Sequence, residues 1–253
     1  MDPTISNWMD TVLRWIHVVA GIAWIGHLYF FNFVNAHVAK TYDADSKKKV
    51  VPELMPRALY WFRWGAAYTW LTGILLIGLV YHMQKLVEGP GLWLGLGVIL
   101  LAFFVYDLLW KSPLAKKEEV GVGVSFVLLA AVTFGLSTLM NGRSLFIHVG
   151  STFGTIMAMN VWMRIWPGQR KIIAGIKGTG PAADAALPAF VALRSKHNAY
   201  MSVPLVLFML GNHFTGVYTS TMPAALALGF VVVGWLAARW LFSKSASAAP
   251  TTF

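Results

Sequence analysis

The sequence predicts an all-α fold: a polytopic transmembrane helical bundle of about seven spans, with the N-terminus outside and the C-terminus inside. Three observations carry this expectation. The chain has too little polar surface for a soluble domain, it contains apolar runs of bilayer length, and its positive charge is distributed one-sidedly. Of 253 residues, 57% are hydrophobic and only 12% are charged, so lipid has to supply the solvent. There are no cysteines, which excludes disulfides, thiolate-bound iron–sulfur clusters and covalent c-type haem attachment. A metal site would have to use His, Met or oxygen ligands. The net charge of +10 would suit nucleic acid, but the Lys and Arg residues lie in short connections between apolar runs. That is the pattern of cytoplasmic membrane loops, and no nucleic-acid partner is expected.

A span of about 30 Å of hydrocarbon needs roughly 20 apolar residues. Runs of this kind extend from Thr11 to Ala36, Trp64 to Tyr81, Leu92 to Trp110, Val120 to Met140, Leu145 to Trp166, Asn198 to Phe214 and Pro223 to Leu241. Each has to be a helix, because no other open element satisfies its own backbone in lipid. The first run has no basic segment before it and no cleavage site after it, so it reads as a retained span and not a signal peptide. The 20 Lys and Arg residues divide 17 to 3 between alternate flanks, with only Arg14, Lys85 and Arg143 in the minority. The positive-inside rule then sets the orientation. The expected setting is a bacterial inner membrane, crossed several times.

Depth along the helices groups the histidines. His17 lies about two turns below the outer end of the first span, His148 about one turn into the fifth, and His213 at the outer end of the sixth. His82 ends the second span on the same side, nearer water, and is the weaker candidate. On the inner side His27 lies about 24 Å from the start of its run and His197 about 25 Å from Phe214, using the helical rise. His37 falls at the inner interface. A lone intramembrane histidine is as readily a hydrogen-bonded packing residue. Several at two matched depths point instead to haem b, one or two copies, because neutral imidazole ligates iron without carrying charge into hydrocarbon. On this reading His17, His148, His197 and His213 are the axial candidates, and His27 joins them in the cofactor set. Residues 1–244 form a single transmembrane haem-binding domain, and 245–253 a short cytoplasmic tail.

Small residues beside these histidines, Ala20, Gly21, Gly150 and Gly154, suit a planar macrocycle or plain helix packing. Arg14 and Arg143 would neutralise haem propionates or hold an anionic substrate, unless they only snorkel to the interface. Asp107 reads as structural, paired with a neighbouring cation such as Arg57 or Arg63. Pro204 should kink the sixth span. Without a kink, His197 and His213 would sit about 160° apart on an ideal helix. No residue is singled out as catalytic.

Four stretches carry a resemblance: Leu13 to Gly26 (LRWIHVVAGIAWIG), Val105 to Pro113 (VYDLLWKSP), Gly142 to Lys171 (GRSLFIHVGSTFGTIMAMNVWMRIWPGQRK) and Arg194 to His213 (RSKHNAYMSVPLVLFMLGNH). Together they resemble the membrane (N-terminal) domain of bacterial membrane-bound urate hydroxylases. The matching histidines are His17, His148, His197 and His213. The resemblance implies a urate-oxidising domain that passes electrons to a fused C-terminal cytochrome c, with urate losing two electrons and being hydrated to 5-hydroxyisourate. This cysteine-free chain departs from that pattern, so a separate outer-side cytochrome c or another respiratory subunit is the expected partner. His27, where the family pattern has a small residue, is a second departure and raises the expectation of a second haem. A different class of function stays open, a non-catalytic haem b subunit relaying electrons within a respiratory complex. A transporter has little support, since no inverted repeat is evident.

Overall fold

The computed structural model describes residues 2–211 and 213–247. About 85% of the structure is helical, and no strand occurs among the described residues. Seven long helices follow one another: α1 Pro3–Val38, α2 Ala44–His82, α3 Pro90–Leu109, α4 Glu118–Ser137, α5 Gly142–Lys177, α6 Leu187–Gly211 and α7 Pro223–Ser247. Each carries one of the seven apolar runs, and most extend beyond it. Of the C-terminal tail expected at 245–253, residues 248–253 lie outside the described residues, while α7 continues through Ser247.

Six of the seven helices are long and apolar enough to cross a membrane, so this is a multi-pass membrane protein. The seventh, α6, is as long as α7 but less apolar. The cause is its polar N-terminal half, which contains Arg194, Ser195, Lys196, His197 and Asn198. Much of that half is buried by protein. Arg194, Asn198 and Ser202 are each 0% exposed, and a helix enclosed by others can carry polar groups that lipid would not accept.

Local chemistry sets the helix ends. Asp43 caps α2 by accepting the Ser46 N–H at 2.7 Å, and this bond holds its carboxyl below the usual carboxylate range. At the start of α3, Gly89 adopts φ 58° and Pro90 fills the first helical position, where no N–H is needed. Asn141 caps α5, its side-chain oxygen accepting the Ser144 N–H at 2.9 Å. Gly178, at φ 75°, ends the same helix in the left-handed conformation. Three helices contain a π-helical turn, at Phe30–Asn35, Ile77–His82 and Val161–Ile165. The last has a visible cause. Pro167 has no N–H to give the Met163 carbonyl, and Arg164 Nη1 donates to that carbonyl instead at 2.9 Å.

The chain divides into two compact units. The first comprises the chain up to Leu13, Gly73–Ile156 and Val203–Gly234. Its core is aromatic: Phe146 and Phe153 of α5 pack on Phe208 of α6, and Phe146 also meets Phe230 of α7. Pro204 of α6 lies against Gly234 of α7, where a Cβ would come within 2.7 Å of the proline ring. Asp107 is nearly buried and pairs with Lys111 one turn on, at 2.8 Å. The expected pairing with Arg57 or Arg63 is therefore corrected: Arg57 pairs with Glu53, and Arg63 lies among aromatic rings. A cation on the same helix, near its end, reaches the carboxylate without crossing between elements.

The second unit comprises Arg14–Thr72, Met157–Ser202 and the chain from Trp235 onward. Here α1 and α2 approach closely at Gly65, where a Cβ would meet the Trp24 backbone nitrogen at 3.0 Å and the Ala20 carbonyl at 3.1 Å. Polar side chains of α6 bind its neighbours. Asn160 donates to Asn198 at 3.0 Å, and Asn198 donates to the Met157 carbonyl at 2.9 Å. Asn32 of α1 donates to Ser195 at 2.8 Å, and Tyr29 lies 3.1 Å from Ser202.

Candidate functional site

In the first unit the site is built around His148. Asn141 starts α5, and one turn later the His148 Nδ1 lies 2.7 Å from the Ser144 carbonyl oxygen. A carbonyl only accepts, so Nδ1 carries the proton, and in the neutral ring Nε2 presents its lone pair. That Nε2 is buried and has no hydrogen-bond partner among the described residues. His82, on the last π-helical turn of α2, brings a second imidazole within 5.9 Å between ring centroids, tilted by 41°. Its Nε2 is likewise buried without a partner among the described residues. Tyr81 meets the His148 ring edge-on at 6.2 Å. Gly95 of α3 completes the surround, since a Cβ there would stand 2.7 Å from His148 Cδ2 and 3.0 Å from Nε2.

An orphaned buried nitrogen leaves part of its desolvation penalty, about 1–3 kcal/mol, uncompensated. Two such nitrogens on neighbouring rings, with bare backbone alongside, form a donor set that a ligand would satisfy. Among the described residues no group of three or more His, Cys, Asp or Glu side chains is placed to hold a metal ion. Two imidazoles do match haem, which brings its own equatorial donors and takes only axial ligands from protein. The two rings are neighbours and both keep a buried Nε2, the donor chemistry such a group takes from protein. The first unit's residues thus fit the group.

The remaining sequence candidates distribute as follows. His213 belongs to the first unit, in the turn after α6, and is exposed. Arg143 is partly exposed in the first turn of α5. In the second unit, His17 Nδ1 lies 3.1 Å from the Thr72 hydroxyl, which itself donates to the Tyr68 carbonyl at 2.6 Å. The hydroxyl proton is thereby used, so His17 donates from Nδ1. His27 Nδ1 donates to the Ala23 carbonyl at 2.7 Å. In His17, His27 and His148 the donating nitrogen is thus Nδ1, as in imidazoles that metal sites orient through an outer hydrogen bond. His197 follows the fully buried Arg194 by one turn, and its association with His27 rests on depth alone. His37 is bound to Ser245 of α7 at 3.2 Å. Arg14 is exposed.

Sequence reasoning ranked His82 low and did not identify Gly95. The four-residue spacing of Gly91 and Gly95 in an apolar helix was the signal for close approach there. Of the small residues singled out, Gly150 faces Phe208 and Met209 of α6, so it serves helix packing. No curated protein and no solved structure matches the chain. A family model described as urate oxidase N-terminal matches residues 3–252, and the chain therefore belongs to the family of urate oxidase N-terminal domains.

Proposed function

We propose that this membrane domain is a b-type cytochrome that moves electrons from a small donor, urate being the candidate, to an outer-side cytochrome c or another respiratory partner. The observation that carries this reading is the buried, unpartnered Nε2 of His148, its lone pair set by the Nδ1–H bond to Ser144. His148, with the neighbouring His82, would hold haem b, which supplies one-electron chemistry when bound. The protein's part is to keep the imidazoles neutral and oriented and to exclude water with the aromatic core around Phe146 and Phe208. Arg143, near the start of α5, carries the charge that would meet a propionate or the urate monoanion. Urate oxidation then balances as loss of two electrons and two protons with addition of one water.

An absorption spectrum and pyridine haemochrome assay on the purified chain test the proposal. Non-covalent haem b is expected, and a colourless, folded preparation from haem-replete cells would refute it. A second reading, a relay subunit with two haems, is supported by His27, whose Nδ1 is fixed in the same manner as that of His148. The charge division supports an N-outside, C-inside orientation, and the family supports a bacterial inner membrane as the setting. External reagent should label a Cys placed at Thr219 but not one at Thr179, and the reverse pattern would overturn the topology.

A further inference from the structure

The second unit contains a cleft of about 1500 Å³ that the redox site does not use. It is larger than the roughly 300–1,000 Å³ of ordinary small-molecule pockets. Its cationic side is built on Trp166. The Arg63 guanidinium lies 4.3 Å from that ring and within 6 Å of Tyr60, Trp64 and Trp162. Trp162 Nε1 donates to the Arg63 carbonyl at 3.0 Å, which ties α5 to α2 at this point. Arg170 approaches the same Trp166 ring at 5.2 Å. The Arg63 Nε is buried and has no hydrogen-bond partner among the described residues. Two guanidinium groups are thus held by aromatic faces, and Arg63 keeps a buried donor available.

Lys171 and Lys177 add two more cations to the wall. Asp184 is also on it, its carboxylate accepting the Ala186 N–H at 2.8 Å, so four cations face one carboxylate on this wall. The other walls are apolar, with Pro56, Leu59, Leu187 and Phe190 among them. Tyr and Trp concentrated with Arg and Lys at the ends of long apolar helices mark the headgroup level of a bilayer. A basic recess between helices at that level suits a phosphate carrying acyl chains. We propose that this cleft binds an anionic phospholipid, its phosphate on Arg63, Arg170, Lys171 and Lys177 and its upper acyl chains against Leu59, Leu187 and Phe190. The size and apolar walls favour a lipid over a free anion, which would fill only the cationic end.

Native mass spectrometry of the purified full chain in detergent, titrated with dioleoyl-phosphatidylglycerol or dioleoyl-phosphatidylcholine, tests this. The wild type should prefer phosphatidylglycerol by at least about tenfold. Joint substitution Arg170→Gln, Lys171→Gln and Lys177→Gln changes only exposed side chains and should reduce that preference to parity. Lys116→Gln with Lys117→Gln, exposed in a different connection, should leave it intact. If the triple variant loses its thermal unfolding transition, Arg170→Gln alone should still give a partial loss. Equal binding of the two lipids by the wild type, or a preference that survives these substitutions, overturns the proposal. So does inorganic phosphate that abolishes the preference at millimolar concentration and stabilises the chain as much as the lipid does, since that outcome assigns a free-anion site.

Discussion

Asn198 in the second unit and His148 in the first are both 0% exposed, yet their polar atoms are treated differently. Asn198 accepts from Asn160 and donates to the Met157 carbonyl, so both ends of its amide are used. His148 spends one nitrogen on Ser144 and leaves the other without a partner among the described residues. An amide used at both ends, as in Asn198, repays its own desolvation and fastens one helix to another. An open imidazole carries an unpaid cost, and its natural repayment is a ligand. The difference supports the proposal that His148 awaits a ligand while Asn198 fastens helices, both being neutral side chains on α5 or α6.

Substitution at the two places should break the comparison in opposite directions. His148→Ala removes the oriented donor and should abolish the haem signal assigned to the first unit, with at most a modest change in unfolding temperature of the apo chain. Asn198→Leu strands the Met157 carbonyl and removes the Asn160 partner, at about 1–3 kcal/mol for each group left unsatisfied. It should lower the thermal midpoint while the haem content of the folded fraction stays at the wild-type ratio. Equal haem loss in both variants, measured per folded molecule, would show that the two positions are not functionally distinct.

The next test asks whether the second unit has an open imidazole of its own. His27 donates to Ala23 from Nδ1, as His148 does to Ser144, so in the neutral ring its Nε2 holds the lone pair. If an inner haem is present, His27→Ala should remove roughly half of the bound haem and leave the first unit's spectrum unchanged. A haem-to-protein ratio unaffected by the substitution would assign His27 to helix packing and favour a single-site, urate-type domain.

Much of the fold was legible because bilayer length and charge placement are one-dimensional signals. The seven runs fall on seven helices, and Pro204 was identified as a special point before its contact with Gly234 was known. What the sequence obscured depends on three dimensions. The run from Asn198 to Phe214 marked α6 as a helix but could not show that Ser195 and Asn198 bind Asn32 and Asn160 of other helices. Asp107 was assigned a distant arginine when Lys111, one turn along, reaches it. Among the histidines, depth placed His148 within two turns of the start of its helix but could not report direction. It ranked His82 below His213, although His82 turns its ring to His148 through the π-helical turn and His213 is exposed.

The smallest expected effect compares two glycines of similar crowding, one at each kind of contact. A Cβ at Gly95 would stand 2.7 Å from His148 Cδ2, and one at Gly150 would stand 2.9 Å from Phe208 Cβ. Both distances demand a shift, and overpacking of this kind costs about 1–3 kcal/mol. Stability alone should therefore not tell Gly95→Ala from Gly150→Ala. The spectra should. At Gly95 the yielding group is the imidazole edge that carries the unpartnered Nε2, so the ring must tilt. If His148 holds haem b, the Soret band should then shift and haem be lost faster to apomyoglobin. At Gly150 the yielding group is a phenylalanine of the aromatic core, and the haem spectrum should keep its wild-type form. Identical spectra for the two variants would remove Gly95 from the site and leave it as a packing residue, like Gly150.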